Sequence, residues 1–314
     1  MFSGTGFSVL VLAAGVVALY VGAELLVAGA GRLAFGIGLR AATVGVTVIA
    51  FVTTAPELFV ALIGALDVST DIGLGAVLGS NVANIGLVLG VAALIKPLTV
   101  SETVMRRHVP FMVFAALLLA VLGADGTIGR LEGAIFLSVL AGFTGYLLYY
   151  VGADPASVVD EPDAGEGIRR RDIALVLGGL VALVVGSRWL VGGGTELLSM
   201  LGFSDLFIGL TVLALGTSLP ELAASVVGAV RGETGFAIGN VVGSNIYNVL
   251  AVLGVVALIT PISVASETLR FEIPALILFT VVLVGLMGYD RRLSRLDGGA
   301  LVIGYCVFVY LLFP

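Results

Sequence analysis

Two glutamates lie near the middle of long apolar stretches that contain no other charged residue. Glu57 lies within 41–66 and Glu221 within 206–230. If such a stretch crosses a membrane, a carboxylate at its centre costs at least about 2.5 kcal/mol, so it usually faces a cavity or an ion pathway. Each glutamate also ends an S/T-x-x-E pattern, which in a loop would cap a helix. The proline before each glutamate interrupts helical hydrogen bonding and frees carbonyl oxygens beside the carboxylate.

A second polar pattern follows in the next apolar stretch of each half of the chain. GSNVAN begins at position 79 and GSNIYN at position 243. Asn84 and Asn248 each follow a serine by four residues, so each pair lies on one face of a helix. Gly79 and Gly243 also fit close helix packing, which is the alternative explanation for small residues in a membrane. The repeated amides favour a binding site.

The polar atoms of these motifs form an all-oxygen ligand set. It contains two carboxylates, amide oxygens, backbone carbonyls and the hydroxyls of Thr53, Thr54, Thr217, Ser218, Ser80 and Ser244. Hard cations such as Ca2+ take about six to eight oxygen ligands, and two carboxylates balance the charge of one Ca2+. Transition metals prefer imidazole or thiolate ligands, but His108 lies at the edge of an apolar stretch and Cys306 is remote. The set therefore predicts a site for a hard cation.

The composition places these motifs in a membrane protein. Of the 314 residues, 59% are hydrophobic and 11% are charged, whereas a soluble domain has about 25% charged residues. A helix needs about 20 apolar residues to cross a bilayer. The apolar runs predict ten transmembrane helices, at 7–31, 41–66, 72–96, 109–124, 131–152, 172–197, 206–230, 234–261, 273–289 and 298–314. An ordinary soluble protein is excluded, and the predicted fold is an all-α integral membrane protein.

One polar segment, 153–171, divides the chain into two five-helix domains, 1–152 and 172–314. Its Pro, Gly and acidic residues are typical of a linker. If the amino terminus is outside, 12 of the 15 Lys and Arg residues fall in inner loops. Under the positive-inside rule, we expect both termini to be extracytoplasmic and the linker cytoplasmic. The predicted location is the plasma membrane.

The two halves repeat each other. GVTVIAFVTTAPEL at 45–58 matches GLTVLALGTSLPEL at 209–222, and GSNVANIGLVLG at 79–90 matches GSNIYNVLAVLG at 243–254, both at an offset of 164. Because each half has an odd number of predicted spans, the second copy enters the membrane from the opposite side. Inverted repeats with interrupted helices near the midplane are typical of secondary transporters. We expect helices 2, 3, 7 and 8 to be broken around a mid-membrane ion site.

The motifs resemble a known family. AFVTTAPE with GSNVAN, and ALGTSLPE with GSNIYN, are similar to the two alpha-repeats of the sodium/calcium exchangers in the cation/calcium antiporter superfamily. The resemblance covers both halves of the chain. It implies a secondary active antiporter that exchanges Na+ for Ca2+ by alternating access, and not an enzyme.

This resemblance also implies a role for each matching residue. Glu57 and Glu221 would hold Ca2+, helped by the carbonyls of Thr53 and Thr217. Residues that would bind the competing Na+ are Ala50, Thr54, Glu57, Ser80, Ala214, Ser218, Glu221 and Ser244. Asn84 and Asn248 would complete the central site. Ca2+ and Na+ would then be the substrates, and the protein would be embedded in the lipid bilayer. We expect a monomer with no cofactor, no catalytic residue and no nucleic-acid partner.

The chain departs from the family pattern at three places. Val52 and Thr54 replace the Gly and Ser of the usual GTS in the first repeat, whereas Gly216 and Ser218 keep them in the second. Some microbial members carry Asp where Asn248 stands, so this site has one fewer titratable group. The large cytoplasmic Ca2+-sensing domain of animal members has no counterpart in 153–171.

Three other functions fit parts of the pattern. Ca2+/H+ exchange would need only the two glutamates to take up protons. A cation channel would line a pore with the same oxygens. An intramembrane hydrolase would use Glu57 or Glu221 as a general base, but no histidine at membrane depth, metal triad or Ser/Lys pair accompanies them, so it is the least supported.

Outside the motifs, Glu24 and Arg188 occupy equivalent positions in the first and sixth predicted spans. Inversion puts them on opposite sides of the midplane, so we expect separate structural contacts and no direct pairing. Both spans are rich in glycine. The family resemblance implies that they slide against the remaining helices, and close packing is the alternative.

Overall fold

Helices dominate the computed structural model, which describes residues 5–36, 46–47, 50–54, 57–58, 61–62, 65–66, 70–153, 169–201, 216 and 218–312. Most of the linker, 153–171, therefore lies outside the described residues. So do parts of the predicted spans 41–66 and 206–230.

The described elements of the first half comprise five helices and two short strands. In chain order they are α1 (Thr5–Gly36), α2 (Ala50–Thr53), α3 (Thr70–Ala83, π-helical Asn84–Leu89 and Gly90–Ile95), β1 (Leu98–Thr99), α4 (π-helical Val104–His108 and Val109–Leu122), β2 (Thr127–Ile128) and α5 (Arg130–Ala153).

The second half follows the same order. Its described elements are α6 (Arg170–Met200), α7 (Leu219–Arg231), α8 (Thr234–Tyr247, π-helical Asn248–Leu253 and Gly254–Ile259), β3 (Ile262–Ser263), α9 (π-helical Thr268–Glu272 and Ile273–Asp290), β4 (Arg292–Leu293) and α10 (Arg295–Leu312). Both α3 and α8 change to π-helix at the second asparagine of the repeated motif.

Local sequence explains where several helices begin and end. α3 and α8 end before Lys96-Pro97 and Thr260-Pro261, and the residues before proline are extended, with φ of −143° and −139°, because proline disfavours helical geometry in the residue before it. α7 carries Pro220 in its first turn, where the missing N–H is tolerated. It ends at Gly232, whose φ of 88° suits a residue without a Cβ.

Each short strand pairs with a strand of the other half. β1 pairs antiparallel with β4, opposing Leu98 to Leu293, and β2 pairs antiparallel with β3, opposing Ile128 to Ile262. β1 corresponds to β3 in the repeat, and β2 corresponds to β4. The exchange is therefore reciprocal, which is the pattern that an approximate two-fold relation between the halves produces.

Glycines allow α1 and α6 to pack against each other along their length. A Cβ on Gly22 would lie 2.8 Å from the Gly179 carbonyl oxygen, and a Cβ on Gly15 would lie 2.9 Å from that of Gly186. Conversely, a Cβ on Gly179 would lie 2.7 Å from the Gly22 carbonyl oxygen, and a Cβ on Gly186 would lie 2.9 Å from that of Gly15. Residue numbers rise along one helix as they fall along the other, so the two equivalent helices are antiparallel.

A second glycine contact occurs twice, each time between the halves. Gly90 on α3 meets Gly298 on α10, where a Cβ on Gly298 would lie 2.6 Å from the Gly90 carbonyl oxygen. Gly254 on α8 meets Gly133 on α5, where a Cβ on Gly133 would lie 2.9 Å from the Gly254 carbonyl oxygen. Small residues let helix backbones approach this closely in a membrane.

Seven helices in the described part of the chain are long and apolar enough to cross a membrane. They are Gly6–Ala30, Gly73–Ile95, Val104–Leu122, Arg170–Gly194, Thr234–Ile259, Thr268–Asp290 and Arg295–Leu312. The protein buries 72% of the Gly73–Ile95 window and 78% of the Thr234–Ile259 window, but only 28% and 22% of those in α1 and α6. α3 and α8 thus form the centre, while α1 and α6 present apolar side chains outward, as lipid-facing helices do.

Glu24 forms an ion pair with Arg231, which links α1 to the end of α7. Glu24 thus makes a structural contact, as predicted, and its partner is a residue of the other half. Arg188, its equivalent in α6, is exposed.

Candidate ion-binding site

Glu221 lies in the first turn of α7 and is completely buried. Its Oε1 accepts a hydrogen bond from the Ser244 hydroxyl at 3.4 Å, and its Oε2 has no hydrogen-bond partner. Ser218 stands immediately before α7 but its side chain makes no capping hydrogen bond. Helix capping therefore does not explain the S/T-x-x-E pattern in the second half.

Glu57 is the matching carboxylate of the first half and is also buried, with 3% of its surface exposed. Neither of its carboxylate oxygens has a hydrogen-bond partner. Asn240 accepts a hydrogen bond from Thr53, four residues before Glu57, and donates one to the Glu221 carbonyl, so the fold brings to one region two glutamates that are 164 positions apart in the chain. Two buried carboxylates in one region need a counter-charge.

Buried oxygens without a hydrogen-bond partner recur at equivalent positions of the two halves. Within the described residues, these atoms are Thr54 Oγ1 and Ser218 Oγ, Glu57 Oε1 and Oε2 and Glu221 Oε2, and Asn84 Oδ1 and Asn248 Oδ1. The other buried polar atoms without a partner in that part of the chain are the two ring nitrogens of His108. Leaving a buried polar group unpaired costs about 1–3 kcal/mol, so this concentration of acceptors calls for a ligand.

Four asparagines join the two halves beside the carboxylates. Asn84 Nδ2 donates to Asn245 Oδ1 at 3.2 Å, and Asn248 Nδ2 donates to Asn81 Oδ1 at 3.0 Å. Asn245 Nδ2 donates to the backbone carbonyl of Asn81 at 3.3 Å. Asn84 and Asn248 therefore each donate a hydrogen bond from the amide nitrogen to an asparagine of the other half, while their amide oxygens remain unpaired.

Asn240 is a buried residue of the site that the sequence motifs did not single out. Its Nδ2 donates to Ser225 Oγ at 3.1 Å and to the Glu221 carbonyl at 3.5 Å. Its Oδ1 accepts from the Thr53 hydroxyl at 3.5 Å. The equivalent position in the first half is Ala76, so comparison of the repeats hides Asn240. Its spacing of four residues before Ser244, on the same helix face, is the signal that would have found it.

The other predicted residues divide between buried positions and undescribed ones. Ala50, Thr53, Ser80 and Ser244 are buried. The Ala50 carbonyl accepts the Thr54 N–H at 2.9 Å and the Thr53 hydroxyl at 3.4 Å. Ala214 and Thr217 lie outside the described residues.

Close packing accounts for one of the two motif glycines. A Cβ on Gly243 would lie 2.5 Å from the Ala50 Cβ and 2.6 Å from the Val46 carbonyl oxygen. No described atom lies within 4 Å of a Cβ placed on Gly79. The packing explanation therefore applies to Gly243, which brings α8 against α2.

Proteins with similar sequences and structures include ones described as antiporters or exchangers. The chain is 38% identical to CaxA of Alkalimonas amylolytica over 282 residues, covering 86% of this chain and 87% of that one. It is 29% identical to the sodium/calcium exchanger MaX1 of Methanosarcina acetivorans over 347 residues, covering 97% and 98%. The solved structure of the sodium-calcium exchanger NCX_Mj soaked with 10 mM Na+ and zero Ca2+ matches with a TM-score of 0.86 at 27% identity, covering 98% of this chain and 100% of that one.

The helices, the buried oxygens and these similarities define a multi-pass membrane protein of the cation/calcium antiporter class. A family model described as sodium/calcium exchanger protein matches residues 7–149 and 172–313. The chain belongs to the sodium/calcium exchanger family, and the family predicted from the motifs is confirmed.

Proposed function

We propose that this protein exchanges Na+ for Ca2+ across the membrane by alternating access of one mid-membrane site. The observation that carries the proposal is the set of buried, unpaired oxygens that occurs in both halves. Inside a membrane protein, such acceptors gain free energy when a cation binds among them. The names of the relatives MaX1 and NCX_Mj favour sodium and calcium as the exchanged ions.

Ca2+ binds between the two carboxylates in this proposal. Glu57 and Glu221 supply a formal charge of −2, which balances one Ca2+, and Ca2+ binds carboxylate and carbonyl oxygens. The carbonyls of Thr53 and Thr217 are the neutral ligands. Ca2+ is a substrate here and not a resident cofactor.

Several Na+ ions share the same carboxylates and use neutral oxygens around them. The proposed ligands are Ala50, Thr54, Glu57, Ser80, Ala214, Ser218, Glu221 and Ser244, with Asn84 and Asn248 completing the central site. The unpaired hydroxyls of Thr54 and Ser218 support this assignment. Because both ions need Glu57 and Glu221, occupancy by Na+ excludes Ca2+, which is the condition for exchange.

The proposed architecture is ten transmembrane helices in two inverted five-helix repeats, 1–152 and 172–314, joined by the linker 153–171. Two observations support inversion: the antiparallel packing of α1 and α6 and the reciprocal strand pairing. The π-helical segments at equivalent positions support the repeat itself. Breaks in helices 2, 3, 7 and 8 would supply the backbone ligands.

Contacts between loops support the proposed grouping of the loops on two sides of the membrane, and the excess of basic residues on one side assigns that side to the cytoplasm. The ten-span topology puts β1 and β4 inside and β2 and β3 outside, and each strand pairs with the other strand on its own side. Lys96 Nζ donates to the Val230 carbonyl and Arg295 donates to the Ile95 carbonyl, again joining groups assigned to the inner side. We therefore propose cytoplasmic basic loops and external termini in a plasma-membrane protein.

The deciding experiment is Ca2+ uptake by proteoliposomes. Vesicles loaded with Na+ are diluted into Na+-free Ca2+ buffer, and a matched set without Na+ receives an acidic interior instead. We expect the Na+ gradient to drive rapid uptake and the pH gradient to drive little. The double variant Ser80→Ala with Ser244→Ala should lose Na+-driven uptake, because it removes two neutral oxygen ligands.

Equal uptake under the two gradients, with full activity in the double variant, would support Ca2+/H+ exchange instead. Two neighbouring buried carboxylates are the observation that favours this second function, since each can carry a proton. Ca2+ uptake that follows the Ca2+ gradient alone, with no counter-ion, would identify a channel.

A further inference from the structure

The asparagine network contains two residues that the proposed site does not use. Asn81 and Asn245 are buried, with 1% and 3% of their surfaces exposed. Each accepts a hydrogen bond from a proposed ligand of the opposite half: Asn245 from Asn84, and Asn81 from Asn248. The equivalent positions in the repeat thus exchange partners.

Amide orientation matters at a cation site. An asparagine side chain carries an acceptor oxygen and a donor NH2 group of nearly equal shape. A cation attracts the oxygen and repels the NH2 group, so a half-turn of the amide converts a ligand into a repulsive group. An acceptor placed against the NH2 group selects the binding orientation.

The network has a fixed direction because one end is a backbone group. The Asn81 carbonyl oxygen can only accept, and it receives the Nδ2 of Asn245 at 3.3 Å. Asn245 must then turn its Oδ1 toward Asn84, whose Nδ2 donates to it at 3.2 Å. Asn84 in turn keeps Oδ1 unpaired. The backbone of α3 thereby determines which atom of Asn84 is available as a ligand.

Neighbouring packing keeps water from replacing these partners. The space beside Asn81 and Asn245 is lined by Met112, Ala116, Val249, Leu276 and Thr280, and it has no room for a water molecule. If an apolar side chain replaces Asn245 or Asn81, the NH2 group of Asn84 or Asn248 therefore loses its acceptor, and no water takes its place.

We propose that Asn81 and Asn245 are positioning residues that hold the carboxamide oxygens of Asn248 and Asn84 toward the bound ion, each acting on the half-site of the other repeat. This inference rests on the proposed ion site. It assigns the first asparagine of each GSN motif a role in orienting a ligand rather than in binding the ion.

The test is a crossed set of double variants, with Ca2+ and Na+ dissociation constants measured by calorimetry on the full-length protein in detergent. Asn245→Leu and Asn81→Leu each remove an acceptor while keeping a side chain branched at Cγ, and each should weaken binding by about tenfold, the lower end of the effect typical for partners of metal ligands. Melting curves report folding, and Asn245→Val and Asn81→Val, which fill more of the space than alanine would, replace any leucine variant that does not fold.

The backgrounds Asn84→Asp and Asn248→Asp decide between orientation and mere packing. A carboxylate presents an oxygen whichever way it turns. In the Asn84→Asp background, Asn245→Leu should therefore no longer weaken ion binding. In the Asn248→Asp background, it should weaken binding as it does in the unsubstituted protein. Asn81→Leu should show the opposite pattern.

Equal effects of the leucine variants in all backgrounds would overturn the inference, because a packing role does not depend on the ligand amide. Unchanged affinity for both ions in the single variants would overturn it as well. If the unsubstituted protein binds neither ion, the proposed function fails first and the inference falls with it.

Discussion

The charge at the centre of the protein is carried by two side chains. Glu57 and Glu221 are both buried, and three of their four carboxylate oxygens have no hydrogen-bond partner. No ion pair in the described part of the chain involves either of them. A bound cation is the simplest source of the missing counter-charge.

Replacing either carboxylate by an amide should abolish Ca2+ transport. Glu57→Gln or Glu221→Gln removes half of the charge that balances a desolvated Ca2+. We expect Ca2+ affinity to fall by more than about 100-fold, because substitutions that only support a metal ligand already cost about 10–100-fold. Proteoliposome uptake and Ca2+ calorimetry measure the loss.

Glu267→Gln is the matched control for these two variants. Glu267 is exposed and lies between β3 and α9, so its replacement should leave transport unchanged. If Glu57→Gln or Glu221→Gln transports Ca2+ at the original rate, that carboxylate does not belong to the site.

Among the helices, the contact between α1 and α6 depends on glycine at particular positions. A Cβ on Gly179 would lie 2.7 Å from the Gly22 carbonyl oxygen, whereas nothing lies within 4 Å of a Cβ on the adjacent Gly178. The two neighbours point about 100° apart around α6, and only Gly179 faces α1, so they form a matched pair for substitution.

Gly179→Ala should destabilise the protein by about 1–3 kcal/mol, the usual effect of overpacking. Gly178→Ala should be neutral or stabilise the helix by up to about 1 kcal/mol, because alanine loses less conformational entropy than glycine. Thermal unfolding of the solubilised protein measures both. Equal effects of the two variants would mean that the α1–α6 contact is not close in the membrane.

The Glu24–Arg231 ion pair connects α1 to α7, the helix that carries Glu221. Its side chains are 27% and 39% exposed, and partly exposed pairs contribute about 0.2–1 kcal/mol. Glu24→Gln should therefore lower thermal stability only slightly, and Glu24→Arg should lower it more, since two arginines then repel each other.

Charge reversal tests this pair directly. Adding Arg231→Glu to Glu24→Arg restores opposite charges, and we expect the melting temperature to recover most of the loss. A double variant that is no more stable than Glu24→Arg alone would show that the two side chains do not interact.

At the scale of the whole molecule, the described contacts group the loops on two sides, and the basic residues favour one orientation of those sides in the membrane. Of the 15 Lys and Arg residues, 12 are assigned to inner loops. Lys96 and Arg295 are among them, and each donates to a backbone carbonyl that is also assigned to the inner side. The same orientation puts the linker in the cytoplasm and both termini outside.

Single-cysteine labelling tests the orientation, because Cys306 is the only cysteine in the chain. In a Cys306→Ser background, Asp160→Cys in the linker should resist a membrane-impermeant thiol reagent in intact cells and react after lysis. Glu267→Cys, assigned to the outside, should react in both cases. Labelling of Asp160→Cys from outside intact cells would contradict the proposed topology.

The family and the class of membrane protein could be predicted from the sequence, because hydropathy, charge bias and the repeated motifs are properties of the chain itself. The repeat at an offset of 164 also identified equivalent residues, and the family prediction is confirmed by the match to both halves. The individual ligand assignments and the inverted ten-helix architecture remain predictions.

Tertiary structure alone decided which residues of the two halves meet. Asn84 lies 161 positions from Asn245, and Asn81 lies 167 positions from Asn248, so no local pattern could pair them. Asn240 was missed because the first repeat has alanine at that position, and Glu24 contacts Arg231 rather than a residue suggested by the repeat. Hydropathy predicts that a helix crosses the membrane, but which helices are buried at the centre, and the direction of each hydrogen bond, depend on how α3 and α8 face each other across the two-fold relation.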